Sequence, residues 1–105
     1  MARDRFERGA VVAYLGRNWV VWSYRRAHRY AEPVALPVVP QTGPRHRSHV
    51  RIDLSGRTCL IQTLEPLSLV AADCVLVGQL PFSTIAEIDL TMRRAAQARD
   101  MEAVR

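Results

Sequence analysis

The sequence predicts a small, mainly β protein: a partly closed antiparallel barrel finished by one C-terminal helix. Three observations predict it. Short runs rich in Val, Ile, Leu and Trp recur from Ala10 to Leu80, each of strand length. Glycine-bearing turn signals separate neighbouring runs at hairpin spacing, at Gly16-Arg17-Asn18 and Ser55-Gly56-Arg57. From Thr84 onward the apolar period becomes helical. Six short strands in 105 residues favour a barrel over a sandwich, and the length suits a single domain over residues 1–105.

Taken in order, Arg8-Gly9 precedes a first strand, Ala10 to Leu15, and Gly16-Arg17-Asn18 turns the chain into a second, Trp19 to Tyr24. Simple alternation puts Trp19 on one face of that strand and Trp22 and Tyr24 on the other, so at least one aromatic belongs to the core. Arg25 to Glu32 reads as a polar, basic connection closed by Pro33, with His28 at the surface. Val34 to Val39 is a third strand, in which Pro37 lacks a ladder donor and asks for an edge or a bulge. Val50-Arg-Ile-Asp-Leu54 alternates strictly, and Ser55-Gly56-Arg57 joins it to Thr58–Leu64 in a second hairpin. Pro66 breaks the run, Leu67 to Ala72 fits either a short strand or a helical turn, and Cys74 to Leu80 is a last strand.

Thr84-Ile-Ala-Glu87 has the spacing of a capping box. Behind it Ile85, Ile88, Met92, Ala95 and Ala96 form the stripe of a helix lying on a sheet. Arg93, Arg94 and Arg99 fall in its later turns, where cations suit the dipole, and 100–105 is expected to fray.

Composition narrows the function classes. With 49% hydrophobic and 24% charged residues the chain is built to bury a core rather than to stay disordered. No apolar run approaches the ~20 residues of a membrane span, and the charged start followed by a short apolar run is unlike a signal peptide, so the cytoplasm is the expected location. Cys59 and Cys74 lack zinc-ligand spacing and read as reduced, packed thiols, and no metal is expected. The formal charge is +5, and all 15 basic residues are Arg. A guanidinium fits phosphate bidentately, so the balance suits a polyanionic partner, although base composition of the gene accounts for much of an all-Arg usage.

Four stretches, in order, resemble the MazF/PemK family of bacterial toxins. They are Arg8-Gly9-Ala-Val-Val; Gly16-Arg17-Asn18 through Ser23; Val38-Val39-Pro40-Gln41-Thr42; and Val77-Gly78-Gln79-Leu80 followed by Ile85 through Ala96. The resemblance implies an SH3-like antiparallel barrel of the CcdB/PemK kind. It also implies a type II toxin acting as a sequence-specific, metal-independent endoribonuclease on single-stranded RNA, with no cofactor. A homodimer and a cognate antitoxin with an acidic disordered segment are the implied partners. The chain departs from the family in its abrupt first turn, in Asn18 where proline is usual, and in Cys59 and Ile61 where an acid/base pair is found in some members. A gyrase-binding, non-catalytic protein on the same scaffold therefore stands as the alternative.

Position by position, the resemblance puts the two catalytic types on Arg17 and Thr42. Arginine would stabilise charge on the phosphoryl oxygens and threonine would hydrogen-bond the phosphate or 2′-hydroxyl. The plain alternatives are a turn arginine in water and a turn threonine. Arg45, His46, Arg47, His49, Arg51 and Gln62 are the expected RNA-binding residues, and His46 or His49 is a candidate general base. Solvated loop residues are the competing reading for all of them.

Overall fold

A computed structural model describes residues 6–27 and 30–103; His28 lies outside the described residues, as do 104–105. The chain is mainly β, with one C-terminal helix. Its strands are β1 (Ala10–Tyr14), β2 (Arg17–Ala27), β3 (Tyr30–Pro40), β4 (His49–Leu54), β5 (Arg57–Gln62), β6 (Leu67–Ser68) and β7 (Val75–Gln79). A single 3-10 turn, Ala71–Asp73, precedes β7, and the helix α1 covers Phe82–Ala103. All pairings are antiparallel, in the order β4-β5-β3-β2-β1-β7, with β6 beside β3. The sheet curls into a half-barrel, and no ladder joins β4 to β7 among the described residues.

Both predicted hairpins form, each one residue tighter than the sequence suggests. The turns are Leu15-Gly16 and Ser55-Gly56, with φ of 50° and 75° in the first and 53° and 78° in the second. Two consecutive positive φ values match the right-handed twist of the flanking strands. Arg17 is therefore not a turn residue but the first residue of β2, paired with Tyr14, and Arg57 starts β5, paired with Leu54.

The expected connection from Arg25 to Glu32 is strand for the most part: Arg25 pairs with Glu32 and Arg26 with Ala31. Its charges misled because a two-stranded ribbon needs no buried face to keep its ladder. Pro37 meets its requirement unusually. β3 pairs with β6 at Val34 and Ala35 and with β5 from Val38, so Pro37 sits where neither neighbour pairs with it on that side.

Two cores sit on the two faces of the sheet. The inner one gathers Val11, Val20, Trp22, Leu36, Val38, Val50, Ile52, Ile61 and Ile88, with Ile85 and Met92 of α1 packed against it. The outer one gathers Val12, Trp19, Val21, Ala35 and Leu69, with Tyr24 alongside. Each fully buried Val, Leu or Ile among them contributes roughly 1.5–3 kcal/mol. Both tryptophans are thus core, and Tyr24 shares a face with Trp19 rather than Trp22. The reason is a β-bulge between Val21 and Ser23, which shifts the pleat by one residue. Arg8 secures the bulge: its Nε donates to the Trp22 carbonyl at 2.9 Å and its guanidinium lies 4.8 Å from the Trp22 ring centroid.

α1 starts two residues before the capping-box threonine. The Pro81 carbonyl accepts from Thr84 N–H at 3.0 Å and Ile85 N–H at 3.2 Å, so Thr84 and Glu87 lie inside the helix. The apolar stripe faces the sheet through Ile85, Ile88 and Met92, while Ala96 is exposed. The helix continues to Ala103, which leaves Arg94 too far from the end to feel much of the dipole. No helix among the described residues is long and apolar enough to cross a membrane.

Candidate nucleic-acid interface

Arg17 lies in a cleft of about 430 Å3 whose walls include Asn18, Val39, Pro40, Ser55 and Arg57. The topology explains the pairing of Arg17 with Arg57. β2 and β5 flank β3 on opposite sides and both run antiparallel to it, with Asn18 opposite Val38 and Cys59 opposite Pro40. Both hairpins therefore turn at the same end of β3 and deliver their first strand residue there. Beyond the ladder, Gln41 N–H donates to the Thr58 carbonyl at 3.1 Å. The residues next to that bond are Thr42 and Arg57, so the arginine nearest Thr42 by register is Arg57. Thr42 is exposed and outside the walls of the cleft itself.

Arg57 has no ion pair among the described residues, and neither has Arg17. Two guanidinium groups beside one cleft repel each other mildly and attract a phosphate between them. None of the cleft's lining residues is a carboxylate or an imidazole; its one thiol, Cys59, is buried and donates weakly to the Arg57 carbonyl at 3.8 Å.

The remaining predicted residues gather elsewhere. His49 pairs with Gln62, the last residue of β5, while Arg57 is the first. Five strand steps separate the two ends, about 17 Å. The loop from Gln41 to Ser48 connects them, carrying exposed Arg45, His46 and Arg47. Its far end is stapled: Thr63 Oγ1 donates to the buried Ser48 carbonyl at 2.6 Å, and His49 N–H donates to the His46 carbonyl at 2.9 Å. Ser48 N–H donates to His46 Nδ1 at 3.1 Å, with Ser48 Oγ 2.6 Å from the same nitrogen. His46 N–H makes a longer contact, 3.4 Å, to His49 Nδ1.

An amide can only donate, so Nδ1 of each ring is an acceptor and the ring hydrogen sits on Nε2. With Nδ1 engaged and Nε2 already protonated, neither neutral ring is arranged to take a proton from a substrate. Each neutral ring held this way presents its Nε2–H as a donor, whereas a general base needs an open acceptor nitrogen. Arg51 stands apart from both groups. It lines a separate cleft with Asp53, Leu80 and Thr84, so the basic stretch 45–51 is not one continuous grip.

Sequence reading missed three arginines. Arg57 looked like a turn residue, yet the repeated Gly-Arg after each hairpin glycine was a visible signal. Arg94 and Arg99 read from sequence as partners of the helix dipole; they line a third cleft with His46 and Arg47. Burial, then the charge of Asp73, raises the Cys74 thiol pKa above the ordinary value, which lowers its thiolate fraction. Compared with known proteins, the chain matches no family model and no curated relative.

Proposed function

We propose that the chain is the toxin of a type II toxin–antitoxin pair, a sequence-specific, metal-independent endoribonuclease that cuts single-stranded RNA in the cytoplasm and so arrests translation and growth. The observation that supports it best is the cleft that Arg17 and Arg57 both line, beside the end of β3 that leads into Thr42. In this reading the substrate's 2′-oxygen attacks the adjacent phosphorus, forming the 2′,3′-cyclic phosphate as the bond to the 5′-oxygen breaks. The 2′-proton leaves to hydroxide in solvent and the 5′-oxygen takes one from water. The two guanidinium groups hold the charge that gathers on the non-bridging oxygens, and Thr42 hydrogen-bonds the phosphate or the 2′-hydroxyl.

The implied partners follow from the same surface. An antitoxin with an acidic disordered segment would compete for the arginines. A homodimer would cover β7, which ends the sheet and exposes Val75, Leu76 and Val77 in succession.

Incubating the purified protein with a long RNA in EDTA tests the reading. Cleavage that disappears in both Arg17→Ala and Thr42→Ala supports it; RNA left intact by the wild type, with and without ribosomes, overturns it. The cleft's lack of a carboxylate or imidazole favours one second reading, a non-catalytic toxin that binds gyrase. Inhibition of gyrase by a protein that leaves RNA intact would establish that alternative.

A further inference from the structure

We infer that the groove between the β3–β4 loop and the second half of α1 is a separate binding site for the phosphodiester backbone of single-stranded RNA, with Arg94 and Arg99 as its helix-borne contacts. The identity of the polymer rests on the functional reading above; the groove's preference for a polyanion does not. The groove encloses about 450 Å3. His46, Arg47 and Leu64 line one side, and Arg94, Ala95, Ala98 and Arg99 the other.

Its charge is unusual. Arg93, one residue away, pairs with Asp89 at 2.9 Å. Among the described residues Arg47, Arg94 and Arg99 have no such partner. No carboxylate lines the groove, so three guanidinium groups surround a space that an anion would neutralise. The His46 ring adds a donor at Nε2, because its Nδ1 accepts from the Ser48 N–H. The loop is fixed before any ligand arrives by the Thr63–Ser48 bond, which lowers the cost of ordering it on binding.

The spacing points to a polymer. Arg94 and Arg99 are five helical steps apart, about 7.5 Å along the axis, which serves successive phosphates better than one. Between them Ala95 and Ala98, opposite Leu64, offer an apolar floor on which a ribose or base can lie. An acidic peptide would use the arginines but has no need of that floor. The groove is displaced from the Arg17–Arg57 cleft by about the 17 Å length of β5, so RNA held in both must extend several nucleotides past the cut.

The test uses the full chain and a 12-nucleotide, fully 2′-O-methylated RNA, which binds without being cut by 2′-hydroxyl attack. Fluorescence anisotropy should show affinity falling about tenfold in Arg94→Gln/Arg99→Gln, with the salt slope reduced by about 1.4, or 0.7 for each lost phosphate contact. Arg94→Lys/Arg99→Lys should keep most of the binding. Unchanged affinity and slope in the glutamine variant, with wild-type helical circular dichroism, would overturn the inference. So would a wild type that binds a glutamate decapeptide but not the oligonucleotide. The two readings fail separately. A protein that cuts no RNA but loses oligonucleotide binding in the glutamine variant keeps the groove and loses the nuclease. One whose cleavage needs Arg17, yet whose glutamine variant binds normally, keeps the nuclease and loses the groove.

Discussion

Arg17 and Arg57 are structural counterparts: each is the first strand residue after a two-residue turn ending in glycine, and both line one cleft. Two hairpins on either side of β3 thus make the same local object twice and aim it at the same place. If the cleft holds a phosphate in transit, Arg57→Ala should lower the RNA cleavage rate about as much as Arg17→Ala. Losing one charge-stabilising donor costs on the order of 10²–10³ in kcat. Single-turnover cleavage of a long RNA in EDTA measures both; a fully active Arg57→Ala protein would remove Arg57 from the site.

The histidines predict a pH dependence. Because Nδ1 of each ring is occupied by a main-chain amide, hydroxide is left as the proton acceptor. Cleavage should then rise with pH at about unit slope on a log scale from pH 6 to 9. His46→Ala and His49→Ala should lower RNA affinity and leave that slope alone. A plateau that disappears with either histidine would show that the ring takes the proton.

Gly9 should be the least replaceable glycine. Its φ is +89°, and an added Cβ would lie 2.8 Å from Ile85 Cγ1. Its N–H also donates to the Val21 carbonyl at 2.8 Å and its carbonyl accepts from Leu80 N–H at 2.9 Å, tying the start of β1 to β2 and to the end of β7. Urea unfolding of Gly9→Ala should show a loss of about 3 kcal/mol, combining backbone strain with overpacking. Gly16→Ala and Gly56→Ala, which have open space around them, should lose only about 1 kcal/mol each.

Leu76→Arg addresses assembly. If the β7 edge is covered by a second copy, sedimentation should show a dimeric wild type and a monomeric variant of unchanged thermal stability per chain. A variant as dimeric as the wild type would place the interface elsewhere.

The sequence announced its hairpins and its helix because glycine at a tight turn and a 3.6-residue stripe are local signals. It concealed whatever depends on pairing between distant strands. Arg25 to Glu32 looks like a loop until Arg25 is seen opposite Glu32 and Arg26 opposite Ala31 across the ribbon. Arg57 looks like a solvent-facing turn residue until β5 is laid against β3, which brings it to Thr42. The basic stretch 45–51 looks continuous on paper, but β4 begins at His49 and carries Arg51 to a different cleft. Arg94 and Arg99 could be placed on a helix from sequence, yet nothing in their spacing tells which loop they will face.

The extra residue at Trp22 gives β2 two readings of the pleat in one strand. Ahead of it even-numbered side chains point inward; behind it Tyr24, also even-numbered, joins the outer core. Swapping one side chain for another leaves that phase intact. Were the extra residue drawn into the regular ladder instead, Tyr24 would change face and turn toward an interior already filled by tryptophan. The strand's sequence is therefore read in a fixed frame, and its length there is as much a part of the fold as its chemistry.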